Sequence, residues 1–123
     1  MRFPIRSFVL PFLLLASLAP PAARAVAADA PPPRVVELTA KRFEYSPKEI
    51  TLKKGEPVTL RIHSEDVTHG LFSKKLKIDT DVPPGKATEV TITPQETGTF
   101  TVICNHFCGG GHGNMKMKVV VTE

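Results

Sequence analysis

The chain has 123 residues, enough for one domain and one small site but too few for the two-domain cores of most metabolic enzymes. Its composition, 41% hydrophobic and 23% charged, is typical of a globular chain and excludes collagen-like, mucin-like and polytopic membrane proteins. A formal net charge of +4 favours a nucleic-acid partner only where the positive residues are clustered.

Residues 1–27 predict a cleavable signal peptide. A basic segment at 1–6 precedes an apolar run of about 11 residues at 8–18, and such a run is shorter than the roughly 20 residues that span a bilayer. The sequence Ala-Val-Ala at 25–27 fits the small-x-small cleavage pattern. We therefore expect an exported, periplasmic protein whose mature chain has no integral membrane span. Without cleavage, the same segment would keep the protein associated with the membrane.

The positive charge belongs largely to this export signal. Removing residues 1–27 takes away three arginines and no acidic residue, so the formal net charge falls from +4 to +1. Lysine and glutamate are interspersed along the rest of the chain. We therefore expect no nucleic-acid partner.

The mature chain predicts a linker followed by an all-β domain. Three consecutive prolines within residues 28–34 favour an extended linker, and the folded domain occupies 35–123. Alternating apolar and polar residues at 88–93 and 99–103 are typical of a sheet packed on one side. The predicted strands are 35–39, 49–53, 57–63, 88–93, 99–104 and 116–122. Their number and spacing predict a small antiparallel domain, a Greek-key β-sandwich or barrel.

The predicted core is apolar and contains no tryptophan. Its members are Val36, Leu38, Phe43, Ile50, Leu52, Val58, Leu60, Ile62, Val90, Ile92, Phe100, Val102, Val119 and Val121. Met117 is also expected to fill space in the core, because that is the usual role of a buried methionine. His63 is expected to face solvent or to be hydrogen-bonded.

The segment 104–115, Cys-Asn-His-Phe-Cys-Gly-Gly-Gly-His-Gly-Asn-Met, has the highest density of chemically unusual residues. It combines two thiols, two imidazoles and a thioether with half of the chain's 8 glycines, which allow tight reversals around a small object. Soft sulfur together with imidazole selects copper or zinc over hard cations. Another imidazole, that of His69, follows the strand that ends near His63.

The pattern Cys-x3-Cys-x3-His-x2-Met, preceded by a histidine after Asp-Val-x, resembles the CuA domain of subunit II of the haem-copper oxidases and the similar domain of nitrous oxide reductase. The resemblance covers nearly all of the mature chain and implies a cupredoxin fold. It also implies two copper ions bridged by the thiolates of Cys104 and Cys108. The implied ligands are His69, Cys104, the backbone carbonyl of His106, Cys108, His112 and Met115.

The same resemblance implies an electron carrier that passes single electrons and is not an enzyme by itself. Its expected partner is another redox protein, a cytochrome or an oxidase or reductase complex, and we expect a monomer. The sequence departs from the oxidase pattern in two ways: His106 occupies the middle of the Cys-x3-Cys segment, and Leu71 and Phe72 stand where a tryptophan is typical. No transmembrane hairpin precedes the domain, so we expect a free-standing copper domain rather than an oxidase subunit.

Several alternatives remain open on the residues alone. Cys104 and Cys108 form a disulfide in one of them, since exported proteins meet an oxidising compartment. A mononuclear blue copper site would use Cys108, His112, Met115 and His69. Zinc would take the two cysteines and two histidines. The same ligands would also serve a copper carrier that delivers metal to a respiratory oxidase.

Overall fold

The computed structural model describes residues 31–123, which form nine strands and one 3₁₀ turn. The predicted signal peptide and residues 28–30 of the linker lie outside the described residues. No helix within 31–123 is long and apolar enough to cross a membrane. The strands are β1 Arg34–Lys41, β2 Glu44–Ser46, β3 Glu49–Lys53, β4 Val58–Ser64, β5 His69–Ser73, β6 Ile78–Val82, β7 Thr88–Ile92, β8 Gly98–Ile103 and β9 Lys116–Thr122.

All six predicted strands are present, within one residue at most of the predicted bounds except at the end of β1. Three further strands, β2, β5 and β6, were not predicted, each for a physical reason. β5 is buried at four of its five positions and so shows no alternation of apolar and polar residues. β6 carries two aspartates, which strands disfavour, and β2 has only three residues.

The strands form two sheets that enclose one core. The first sheet has the order β2-β1-β4-β7, and the second has the order β3-β9-β8-β5-β6. The prediction of an antiparallel domain was wrong for two pairs, because β1 runs parallel to β4 and β3 runs parallel to β9. After β1 and β2 the chain crosses to the second sheet as β3 before it returns as β4, and such crossovers allow parallel neighbours. Alternation reports which face is buried but not the direction of a neighbouring strand.

Most of the predicted core is buried. Ten of the fourteen residues lie in the core, and Val36, Val90 and Phe100 pack against it while keeping some exposure. Phe43 was wrongly placed, since it lies in the turn between β1 and β2 and is 39% exposed. Met117 is 2% exposed, as predicted. The core residues that were not predicted are Ala40, Tyr45, Leu71, Leu76, Ile78, Val82, Cys104, Cys108 and Met115.

The contrast along β1 yields a stability prediction. Leu38 is 1% exposed, whereas Val35 on the same strand is 52% exposed. We expect Leu38→Ala to lower the free energy of unfolding by about 2–5 kcal/mol, because the lost contacts leave a cavity. Val35→Ala should change it by about 0.5 kcal/mol or less. Denaturant unfolding measures both, and equal effects would contradict the placement of the core.

The topology of the second sheet gathers the candidate residues at one end of the molecule. β8 is antiparallel to both β5 and β9, so the end of β8 lies beside the start of each neighbour. His69 is the first residue of β5, Cys104 directly follows β8, and Met115 directly precedes β9. The segment 104–115, here called the ligand loop, therefore connects β8 to β9 beside His69.

Candidate metal centre

The ligand loop is closed by its own backbone. The amide of Cys104 donates to the carbonyl of Met115 at 3.1 Å, which joins the two ends of the loop. Within it, the amide of His112 donates to the carbonyl of Gly109, and the 3₁₀ turn His112–Asn114 follows. Gly109 has a φ of +137°, a conformation that side chains disfavour. The glycines thus let the loop bring its sulfur and imidazole groups together.

Cys108 lies at the centre of the cluster. Its Sγ is 3.8 Å from Cys104 Sγ, 3.7 Å from His112 Nδ1 and 3.9 Å from Met115 Sδ. Both cysteines are buried and free, and their sulfur atoms are well beyond the roughly 2.05 Å of a disulfide bond. Since a metal–thiolate bond is about 2.3 Å long, two sulfurs at this separation are able to bind the same ion.

His69 completes the cluster from the neighbouring strand. The ligand atoms of His69, Cys104 and Cys108 all lie within 4.8 Å of one another, and all three residues are buried. Nε2 of His69 is hydrogen-bonded to Oδ1 of Asp66 at 2.6 Å. Its Nδ1 is buried, and no group in residues 31–123 hydrogen-bonds to it. Buried polar atoms are normally paired, so an unpaired imidazole nitrogen beside two thiols fits a metal ligand.

Asp66 fixes the orientation of this imidazole. Partial burial opposes ionisation of its carboxyl, but the amide of Arg42, the His69 ring and the amide of Val67 outweigh it and lower the pKa of Asp66 to about 2. Oδ2 accepts from the Arg42 amide at 2.8 Å, while Oδ1 accepts from the Val67 amide at 2.7 Å. A carboxylate held in this way leaves Nδ1 as the free nitrogen of His69.

Loss of this carboxylate should weaken metal binding. We expect Asp66→Ala to reduce copper affinity by about 10–100-fold, because the His69 ring loses the partner that orients it. Glu65→Ala is the matched control, since Glu65 is exposed and its carboxylate forms no ion pair within residues 31–123. Competition titration with a copper chelator measures both affinities. Equal affinities for the two variants would contradict the orienting role.

His106 places its backbone and its side chain in different surroundings. Its carbonyl oxygen lies 3.1 Å from Cys104 Sγ, from which it accepts a hydrogen bond. Its imidazole points away, with Nδ1 3.4 Å from Asp81 Oδ1 at the surface. The imidazole is therefore not a member of the cluster, whereas the carbonyl borders it. His63, which was left out of the candidate site, lies on β4 with its ring 45% exposed and Nε2 3.6 Å from Glu37.

Four residues that support the cluster were not predicted from the sequence. The amide of Gly70 donates to Cys104 Sγ at 3.2 Å, and the Gly70 carbonyl accepts from the Tyr45 hydroxyl. Arg42 Nε donates to the Cys108 carbonyl at 2.8 Å, and the Asn105 amide group donates to Asp79 at 3.1 Å. Gly70 and Asn105 are sequence neighbours of the ligands His69 and Cys104, whereas Arg42 and Tyr45 come from a distant part of the chain.

Burial also affects the protonation of two groups in the cluster. Burial, together with the neighbouring Cys104, raises the pKa of the Cys108 thiol to about 11. It likewise raises the pKa of the Tyr45 hydroxyl, with Cys104 and Cys108 adding to the effect. Because a metal binds the thiolate, metal uptake at Cys108 is coupled to the release of a proton.

Comparison with known proteins identifies the family. The family model of the cupredoxin-like domain matches residues 8–121. The chain is a cupredoxin. It is 36% identical to cytochrome c oxidase subunit 2 of Thermus thermophilus over 101 residues, which cover 82% of this chain and 75% of that protein. It is 37% identical to the nitrous-oxide reductase of Ralstonia nicotianae over 90 residues, which cover 70% of this chain but only 14% of that protein.

A solved structure shows the same fold. The periplasmic domain of subunit II of cytochrome oxidase from Bradyrhizobium japonicum has a TM-score of 0.67 and 18% identity, covering 73% of this chain and 84% of that domain. Copper is the cofactor of the cupredoxin fold, and His69, Cys104 and Cys108 are its candidate ligands in this cupredoxin. The prediction of a copper-binding cupredoxin that resembles oxidase subunit II is confirmed.

Proposed function

We propose that this cupredoxin holds a binuclear copper centre of the CuA type and passes single electrons between redox partners. The observation that carries the proposal is the pair of buried, free thiols, Cys104 and Cys108, with sulfur atoms 3.8 Å apart. A mononuclear site needs one thiolate, whereas a bridged pair of ions needs two. Imidazoles lie beside this pair from two different elements, His69 from β5 and His112 from the ligand loop.

The proposed ligands are His69 through Nδ1, Cys104, Cys108, His112, Met115 and the carbonyl of His106. When bound by these residues, two copper ions would supply a redox couple that takes up and releases one electron at a time. The chain contributes rigid placement of these ligands. The Gly70 amide donates to Cys104 Sγ, Asp66 orients His69, and the Cys104–Met115 hydrogen bond closes the loop. Donors fixed before reduction reduce the rearrangement that electron transfer requires.

A mononuclear blue copper site is the second candidate. It is favoured by the position of Cys108, which alone contacts both His112 and Met115. In this arrangement Cys104 would remain a thiol that accepts from the Gly70 amide. The two candidates therefore differ in whether Cys104 binds metal.

The relatives guide the proposal for location and partners. They include a subunit of cytochrome c oxidase and a nitrous-oxide reductase, and the structural neighbour is a periplasmic domain. We propose that this cupredoxin is exported to the periplasm and, as a monomer, exchanges electrons with a cytochrome or with an oxidase or reductase complex.

Metal analysis with low-temperature electron paramagnetic resonance tests the proposal. The mature chain is loaded with copper under mildly reducing conditions, and the hyperfine pattern counts the nuclei that share the unpaired electron. Coupling to two equivalent coppers supports the binuclear centre. Coupling to one copper would overturn it in favour of the mononuclear site, and tightly held metal without a paramagnetic signal would point to zinc or to Cu(I) delivery.

A further inference from the structure

The outer face of the second sheet combines apolar and basic side chains. In the strand register, Phe72 on β5 lies opposite Ile103 on β8, and Ile103 lies opposite Lys116 on β9. Ile103 is 41% exposed, which is unusual for an isoleucine on a regular strand. Phe72, Ile103 and Lys116 thus form a row across the sheet. The row adjoins the ligand loop, because Ile103 directly precedes Cys104 and Lys116 directly follows Met115.

Two depressions flank Thr101 on this face. One, of about 340 Å³, is lined by Lys48, Glu49, Thr101, Lys116, Met117 and Lys118. The other, of about 190 Å³, is lined by Phe72, Ser73, Lys74, Lys75, Phe100, Thr101 and Ile103. The surface formed by both depressions is here called the lysine face. Its lining includes five lysines, the apolar residues Phe72 and Ile103, and a single acidic residue.

Most of this positive charge is not neutralised by the domain itself. Lys48 pairs with Glu44 at 3.7 Å, and Lys75 pairs with Glu96 at 3.8 Å. Within residues 31–123, the remaining lysines of the face form no ion pair shorter than 4.0 Å. These unpaired lysines are Lys74, Lys116 and Lys118. A cluster of unpaired cations beside exposed apolar side chains is complementary to an acidic surface that also offers an apolar contact.

We propose that the lysine face is a docking surface for an acidic protein. A protein partner fits better than a membrane surface, because the apolar residues Phe72 and Ile103 line one small depression together with two lysines and do not form the broad apolar face that inserts into a bilayer. The role of this partner as an electron donor or acceptor rests on the proposed function, whereas the docking itself requires no metal. A protein seated here would lie against β8 and β9, the two strands that the ligand loop connects.

Backbone NMR of the isotopically labelled mature chain tests the docking, with poly-L-glutamate as the acidic probe. The titration is performed at low salt on the metal-free protein and repeated on the copper-loaded protein. We expect the largest chemical-shift changes at residues 101–103 and 116–118. These changes should disappear at high salt, because salt screens the attraction between exposed charges. Shifts centred on residues 106–109 would overturn the proposal.

Two charge-reversal variants with the same net charge distinguish binding at the lysine face from attraction to the overall charge of the protein. Lys116→Glu/Lys118→Glu should weaken binding of the probe by about fivefold or more, since both lysines line the face. Lys54→Glu/Lys86→Glu changes the net charge equally at exposed positions outside the face and should have a much smaller effect. Equal weakening by the two variants would overturn the proposal, as would binding to phosphatidylglycerol vesicles without binding to poly-L-glutamate. Docking by the metal-free chain together with a one-copper resonance pattern would overturn only the binuclear centre.

Discussion

Replacing either Cys104 or Cys108 by serine is expected to remove about half or more of the bound copper and the intense visible absorption, because a neutral hydroxyl is a poor substitute for a soft thiolate. If both thiolates bridge two ions, neither serine variant retains the original centre. Metal analysis and absorption spectra of the two single variants measure the loss. Unchanged copper content and absorption in both would contradict a copper site at these cysteines.

The two variants also separate the candidate functions. A mononuclear site on Cys108 predicts that Cys104→Ser keeps its copper, whereas the binuclear centre predicts that both variants lose the spectrum. Met117→Leu is the control, since Met117 is a buried sulfur-containing residue of the core and not a proposed ligand. It should bind as much copper as the unchanged chain.

Gly70→Ala is expected to lower the free energy of unfolding by about 1–3 kcal/mol, because an added methyl group overpacks this position. The new Cβ would lie 2.8 Å from the His106 nitrogen and 2.9 Å from the Asn105 nitrogen, both backbone atoms of the ligand loop. Relief of this clash must move the loop or β5, and with them the Gly70 amide that donates to Cys104 Sγ. Copper affinity should therefore also fall by about tenfold or more.

Gly113→Ala is the matched control for this substitution. Gly113 lies in the same loop, its φ is not in the left-handed region, and a Cβ there meets no atom within 4 Å. Thermal unfolding and copper titration of both alanine variants make the comparison. Equal stability and equal copper affinity for the two variants would show that neither property depends on the close approach of Gly70 to the ligand-loop backbone.

The sequence predicted the ligands better than it predicted their supports. Ligand types are chemically distinctive, and five of the six proposed ligands share the segment 104–115, so the cluster is recognisable in the sequence. Two of the supports come from elsewhere in the chain: Tyr45 from β2, and Arg42 from the turn before it. Neither residue type nor spacing indicates that these side chains reach Gly70 and Cys108, because the contacts arise only when the two sheets pack.

Errors in the predicted fold have a similar origin. Alternation identified strands that are buried on one face, such as β7, but not β5, whose residues are covered on both sides. Phe43 was assigned to the core from its hydrophobicity alone. Its ring instead covers the backbone of the ligand loop, where a Cβ at Gly111 would come within 2.8 Å of it. Gly109 and Gly111 thus leave space for the Phe43 ring, because a side chain at either position would meet it.

The parallel pairing of β3 with β9 joins two parts of the chain that are far apart in sequence. Glu49 pairs with Lys118, so the sheet closes only after two distant parts of the chain have met, and such non-local pairings form slowly. In the folded domain both cysteines are free and buried, whereas an unfolded chain exposes them to oxidants. Completing this sheet therefore protects the thiols in the same step that brings the ligands together.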